Sequence, residues 1–285
     1  MTSDSEPGAS LDDTLLLTVG CEFEIAVAQP LAAIMQVAPR AEPRVHMRRE
    51  QWDTEVDHHG YVDGFGNRCE RFLIAAGESR IAYEAELLLT QAADIVEPAT
   101  SETPVESLPD DVINYVMPSR FCLPDELGSE AWQRFGELAP GWSRVQAIVD
   151  CVHHHLTYTP GGSNPWTTAA DAYYARQGVC RDYAHLAITF CRAMNIPARY
   201  VFGYIPDIGV GVPEDEAMDF AAWFEAYLDG RWHTFDARNN TPRTGRVVVG
   251  RGRDAVDVAL ITSFGTLTLT GFRVHARQTA APEPV

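Results

Sequence analysis

The chain has 285 residues, with 22 Lys and Arg against 40 Asp and Glu and a formal net charge of −18 at pH 7. That length can bury a substantial core, in one large or two modest domains. The acidic balance works against nucleic acid and anionic membrane as partners, since both reward basic patches, and no apolar run approaches the ~20 residues of a membrane-spanning helix.

Residues 1–13 are polar and acidic, without a basic n-region or an apolar h-region. They read as a disordered tail on a cytoplasmic protein. The six cysteines, Cys21, Cys69, Cys122, Cys151, Cys180 and Cys191, include no CxxC pair and read as reduced thiols. Residues 14–98 read as a β-rich, sandwich-like N-terminal domain. Its strand-like runs are 15–19, 22–28, 44–52, 68–76 and 81–89, and its breaks fall at Gly60, Gly64 to Asn67 and Gly77 to Ser79. His58-His59 reads as a solvent-facing loop. A Pro- and Thr-containing linker is expected over 99–110.

From 111 to 275 the pattern is that of a second, α+β domain, with a tail over 276–285. Helices are expected over 129–137, 142–155, 167–176 and 180–194, the last carrying Ala184, Ala187, Ile188 and Cys191 at helical spacing. Strands follow over 198–204, 221–228, 231–236, 246–249, 258–262 and 271–275. Asp229-Gly230 marks a tight hairpin. A helical block followed by antiparallel strands excludes a doubly wound sheet.

The chemistry concentrates at Gly178-Val179-Cys180-Arg181-Asp182-Tyr183-Ala184-His185. A thiol at a helix N-terminus feels the positive end of the dipole and free backbone N–H groups, and both favour the reactive thiolate. Cys180 is therefore the candidate nucleophile. His185 and His233 are poorly directed to serve it, and His153, His154 and His155 read as the end of an amphipathic helix.

Three further blocks accompany that motif: Cys191 to Tyr204, Asp219-Phe220-Ala221-Ala222-Trp223-Phe224-Glu225-Ala226-Tyr227, and Trp232-His233-Thr234-Phe235-Asp236-Ala237-Arg238. Together they resemble the bacterial transglutaminase-like superfamily of papain-like cysteine enzymes. The resemblance implies a helix bearing the Cys packed on an antiparallel sheet, with a Cys-His-Asp triad. It implies Cys180 as nucleophile and Asp236 as orienting acid, with the His position taken by Ala221. Tyr158, Asp182 and Trp223 become supporting residues, and the Cys180 N–H becomes the oxyanion donor. The implied reaction is attack by Cys180 on an amide to give a thioester that an amine or water resolves, with an amide- or amine-bearing peptide or small molecule as substrate and neither metal nor organic cofactor; no oligomeric state is implied.

Without the imidazole, Asp236 is expected to face Cys180 with no cation between them, raising the cost of the thiolate. The chain as written would be inactive or strongly impaired. Three readings share these residues: a His-to-Ala knockout, a natural divergent enzyme whose substrate supplies the base or whose chemistry differs, and a pseudoenzyme acting as a binding or scaffold module. Retention of both Cys180 and Asp236 weighs against the last.

Overall fold

The structure is a computed structural model that describes residues 14–90, 92–209 and 218–279; the expected tail over 1–13 lies outside the described residues. Its strands are β1 (Thr14–Val27), β2 (Leu31–Met35), β3 (Val45–Thr54), β4 (His58–Val62), β5 (Arg68–Ile74) and β6 (Gly77–Thr90) in the N-terminal part. Then come α1 (Gly128–Phe135), α2 (Trp142–His155), β7 (Thr157–Tyr158), α3 (Ala169–Ala175), β8 (Gln177–Gly178) and α4 (Cys180–Ala193). The chain continues through β9 (Ala198–Tyr204), β10 (Ala221–Leu228), β11 (Arg231–Phe235), β12 (Val247–Gly252), β13 (Ile261–Ser263) and β14 (Leu267–Gln278).

The architecture is α+β. Two four-stranded sheets, β14-β1-β6-β3 and β13-β2-β5-β4, carry the N-terminal part, and a third, β11-β10-β9-β12, backs the helices. Alternation drives the first two. In β1, Leu15, Leu17, Val19, Cys21, Phe23 and Ile25 are buried, while Thr18, Glu22, Glu24 and Ala26 of the alternate face are half-buried or exposed. The two runs expected at 15–19 and 22–28 are one strand. Gly20 is not a turn there but a close approach, because a Cβ would sit 2.5 Å from the Tyr83 carbonyl and 2.6 Å from the His275 ring. His58-His59, expected in a loop, lies in β4. His58 Nδ1 meets Glu70 at 2.7 Å and its ring stacks on Phe72. Every residue of β4 is exposed, so the strand carries no hydrophobic alternation to read.

The chain end departs from expectation. β13 pairs with β2 and β14 pairs with β1 over Leu17 to Val27, so the last strands complete the N-terminal sheets. The boundary expected at 275 falls inside β14, and residues 276–278 are strand, not tail; 280–285 lie outside the described residues. The 99–110 segment is likewise fastened. The Thr100 carbonyl accepts the Trp142 N–H at 2.9 Å, Glu102 bridges to Leu228, and the Glu102 carboxylate takes Arg144 at 3.0 Å.

Helix α4 is the axis of the C-terminal part, and its residues from Asp182 to Arg192 are all buried. It packs between α1, α2 and α3 on one side and β9 and β10 on the other. Arg192 stays solvated by protein: its guanidinium donates to the carbonyls of Met117, Ala198 and Arg253 and to Ser119 Oγ. The β10–β11 hairpin turns on Asp229 (φ 46°) and Gly230 (φ 79°), both left-handed, the two-residue turn that its sequence announces. Among the described residues no helix is long and apolar enough to cross a membrane.

Candidate active site

Cys180 is the first residue of α4. The chain enters the helix through Gly178, where a Cβ would meet the Asp182 Cβ at 2.6 Å, so only glycine fits. Asp182 is 1% exposed and reaches back to accept the Val179 N–H at 2.8 Å, with its other oxygen held by Arg181 at 3.0 Å. That reach-back is the half of a capping box that a Val N-cap allows. The N–H groups of Cys180 and Arg181, in the first turn, have no carbonyl four residues back and are available to a developing oxyanion. Tyr183 Oη ties the next residues to the Leu156 carbonyl at 2.8 Å.

β7 and β8 run parallel, pairing Tyr158 with Gly178, so the half-exposed Tyr158 ring stands beside the entry to the Cys180 helix. The Arg238 guanidinium lies 4.0 Å above that ring. The Cys180 sulfur meets the stretch of β10 that runs beyond its pairing with β11. It is 4.0 Å from the Phe220 carbonyl and is also approached by the Ala222 amide. Position 221 lies between those two backbone groups. Burial pushes the Cys180 thiol up; Arg238 and the Ala222 N–H oppose this, and Asp219 and Asp236 add to it. Burial also raises Asp219.

The two faces of the β9–β10–β12 sheet differ. Ala222, Phe224 and Ala226 point into the core that holds α4, whereas Ala221 and Trp223 pack with Val201, Ile205 and Val248 on the other face. Phe235 pairs with Phe224, which carries Asp236 toward Trp223 on that second face. Ala221 and Asp236 therefore share the face turned away from α4, while the Cys180 thiol meets the backbone on either side of position 221.

Asp236 is not bare, however. Oδ1 accepts the N–H groups of Arg238 (3.1 Å) and Asn239 (2.9 Å), and Oδ2 accepts Asn239 Nδ2 (2.8 Å) and Arg246 Nη2 (2.9 Å). A carboxylate offers about four acceptor positions, and these four donors fill them. Arg246 is 3% exposed, pairs through Nε with Asp94 at 2.8 Å, and lies over the Trp223 ring at 4.9 Å. Burial would weaken its charge, but Asp236 and Asp94 outweigh that and hold its pKa above the usual value. The expectation of an uncompensated carboxylate facing the thiol is corrected: a buried guanidinium neutralises Asp236 on the sheet face of Ala221.

Residues 132–237 match the family model for the transglutaminase-like superfamily. Over these residues the fold is that of a transglutaminase-like core, helices packed on an antiparallel sheet. The crystal structure of a candidate cysteine protease from Cytophaga hutchinsonii superposes with a TM-score of 0.84 at 29% identity, covering 95% of this chain and 93% of that one. An uncharacterised protein of Mycobacterium leprae is 26% identical over 233 residues, 79% of this chain and 82% of that protein. Human kyphoscoliosis peptidase is 30% identical over 118 residues, 40% of this chain but 17% of the human protein.

The histidines of the transglutaminase-like core are engaged elsewhere. His185 is fully buried, stacks on Phe121, and accepts the Ala255 N–H on Nε2 at 3.1 Å; burial lowers its pKa to about 3. His233 meets the Leu228 carbonyl and packs against Trp142, with its pKa lowered first by burial and then by Arg231. His153, His154 and His155 close α2 and meet the carbonyls of Ala237, Asp150 and Tyr173. Among the described residues no cluster suited to a metal forms. Trp223, 1% exposed, supports Arg246 rather than lining an open cleft. Sequence reasoning missed Arg238 and Arg246. Arg246 reaches Asp236 from the far side of β9, and nothing in the local sequence signals that.

Proposed function

We propose that this chain is a divergent cysteine acyl-transfer protein. Cys180 takes the acyl group as a thioester, and amide substrates are handled poorly because no imidazole stands at position 221. In a Cys-His-Asp site the ring removes the thiol proton and then protonates the departing amine. Its absence costs about 10²–10⁴-fold in rate. The loss falls hardest on amides, whose amine leaves only when protonated. An aryl ester or a thioester releases a phenolate or thiolate and needs no acid, so Cys180, its proton lost to solvent, can still form the S–C bond as the C–O or C–S bond breaks. The first-turn N–H groups of α4 remain to hold the oxyanion, and an amine or water would resolve the thioester.

The observation that carries the divergent reading is the saturation of Asp236 by Arg238, Asn239 and Arg246. Removing a single His from a working triad would leave its acid with an open acceptor position. The test is to incubate the chain with a p-nitrophenyl ester and with the matching p-nitroanilide, reading peptide masses. The ester is expected to acylate Cys180 and the anilide to leave it free, with Cys180→Ser abolishing the adduct. An anilide-derived acyl-enzyme formed as fast as the ester-derived one would contradict the proposal.

A further inference from the structure

We propose that Arg238 supplies at Cys180 the positive charge that an imidazolium supplies in a complete triad, so that Cys180 and Arg238 act as a thiolate pair without a resident base. The inference rests on reading Cys180 as the nucleophile and names the residue that governs its ionisation.

The geometry begins with Asp236. Its Oδ1 accepts the Arg238 N–H, which fixes the backbone two residues beyond the acid. The guanidinium then sits 4.0 Å above the Tyr158 ring. That ring is set by the Tyr158–Gly178 pair, and the Thr159 N–H donates to the Gly178 carbonyl at 3.0 Å. The ladder ends two residues before Cys180. One strand pair thus presents the guanidinium to the mouth of α4, and Arg238 is the cation that most lowers the thiol pKa.

The competing cations are committed. Arg181 is held by Asp182, and Arg246 by Asp94 and Asp236. Among the described residues no carboxylate lies within ion-pair distance of the Arg238 guanidinium. Other groups face the thiol from each element around it. Tyr200 projects from β9, Asp219 precedes β10 and Asp236 follows β11, while on α4 itself Asp182 turns back to Val179 and Arg181 and the Tyr183 hydroxyl to Leu156. Burial, Asp219 and Asp236 oppose the thiolate; Arg238 and the Ala222 N–H favour it, and of these two only Arg238 carries a charge.

A guanidinium differs from an imidazole in one respect that matters: it donates hydrogen bonds but accepts no proton. Arg238 can hold the thiolate once formed, while the thiol proton passes to solvent. The signature is therefore a pH profile governed by simple thiol ionisation and displaced by the charge at 238.

The experiment measures the alkylation rate of Cys180 by iodoacetamide, a neutral probe, from pH 6 to pH 10 in the full chain, with peptide mass spectrometry reporting the site. Arg238→Gln is expected to slow alkylation at pH 7 by about threefold or more and to move the midpoint to higher pH. Arg238→Lys, which keeps the charge, should retain most of the unsubstituted profile. Equal displacement in Arg238→Gln and Arg238→Lys would mean that the stacked shape, not the charge, matters, and would overturn the proposal. An unchanged midpoint in Arg238→Gln would overturn it too. Alkylation involves no acyl donor, so an Arg238-dependent thiol that fails to take an acyl group would count against the proposed function alone.

Discussion

At the residue scale, the proposed chemistry turns on position 221 and its surroundings. Ala221 lies between the two backbone groups that meet the Cys180 sulfur, on the face that also carries Asp236 and Arg246. Removing the guanidinium would strand Asp94 and Asp236, both nearly buried, without their cation. Arg246→Met is therefore expected to cost about 3–5 kcal/mol in urea unfolding, and a loss under 1 kcal/mol would show that the pair is not a structural tie. His185 makes a second prediction. Its native pKa of about 3 lies below the ordinary 6.5, so the unfolded chain binds this proton more readily than the folded one. Its contribution is present above pH 6.5 and is lost as pH falls from there toward 3, at up to about 1.4 kcal/mol per pH unit. His185→Gln should flatten the stability profile between pH 6.5 and pH 4.5; an unchanged slope would be contrary evidence. The placement of Cys180 at a helix start and of Asp236 just past a strand end was legible because their motifs are local. Arg246 was not, since it reaches Asp236 across two intervening strands.

At the element scale, the β9–β10–β12 sheet presents a second buried charge cluster on the face away from α4. Glu225 on β10 is 5% exposed and lies between Arg199 on β9 and Arg251 on β12. Burial would raise its pKa, but Arg251 and then Arg199 overcome that and bring it to about 2. A depressed carboxylate stabilises the fold above its unfolded pKa, here the ordinary 4.5, and that stability is lost as pH falls from 4.5 toward 2. Glu225→Gln leaves Arg199 without a counter-ion and Arg251 with Glu42 alone, and is expected to cost about 3–5 kcal/mol at pH 7. Equal urea midpoints for the two chains would contradict this. The limits of β9 and β10 could be read from sequence because both are buried, β-branched or aromatic runs with clear turn signals. β4 could not, because an exposed strand has no apolar face.

At the scale of the whole molecule, the chain closes on itself. β1 lies between β6 and β14, and β2 between β5 and β13, so the first and last strands share sheets. A single hydrophobic core runs from Leu15 and Phe23 through α4 to Val274. A chain ended at Leu260 would expose the full length of β1 along one edge. It is expected to be insoluble or to lose its cooperative thermal transition, and a cooperative melt within a few degrees of the full chain would show that the last strands are dispensable. Antiparallel return over such a separation leaves no local trace, which is why the sequence suggests a break at 275 where the structure has a strand.

On the proposed reading Asp236 is committed to Arg246, and the site is a divergent one rather than a working triad lacking one side chain. The most direct measurement is amide turnover by Ala221→His. An imidazole there must compete with Arg246 for an acid whose acceptor positions are filled, so the gain is expected to stay below about tenfold. Recovery by the ~10²–10⁴-fold that a positioned general base supplies would show that the triad was intact but for its histidine, and would contradict the account.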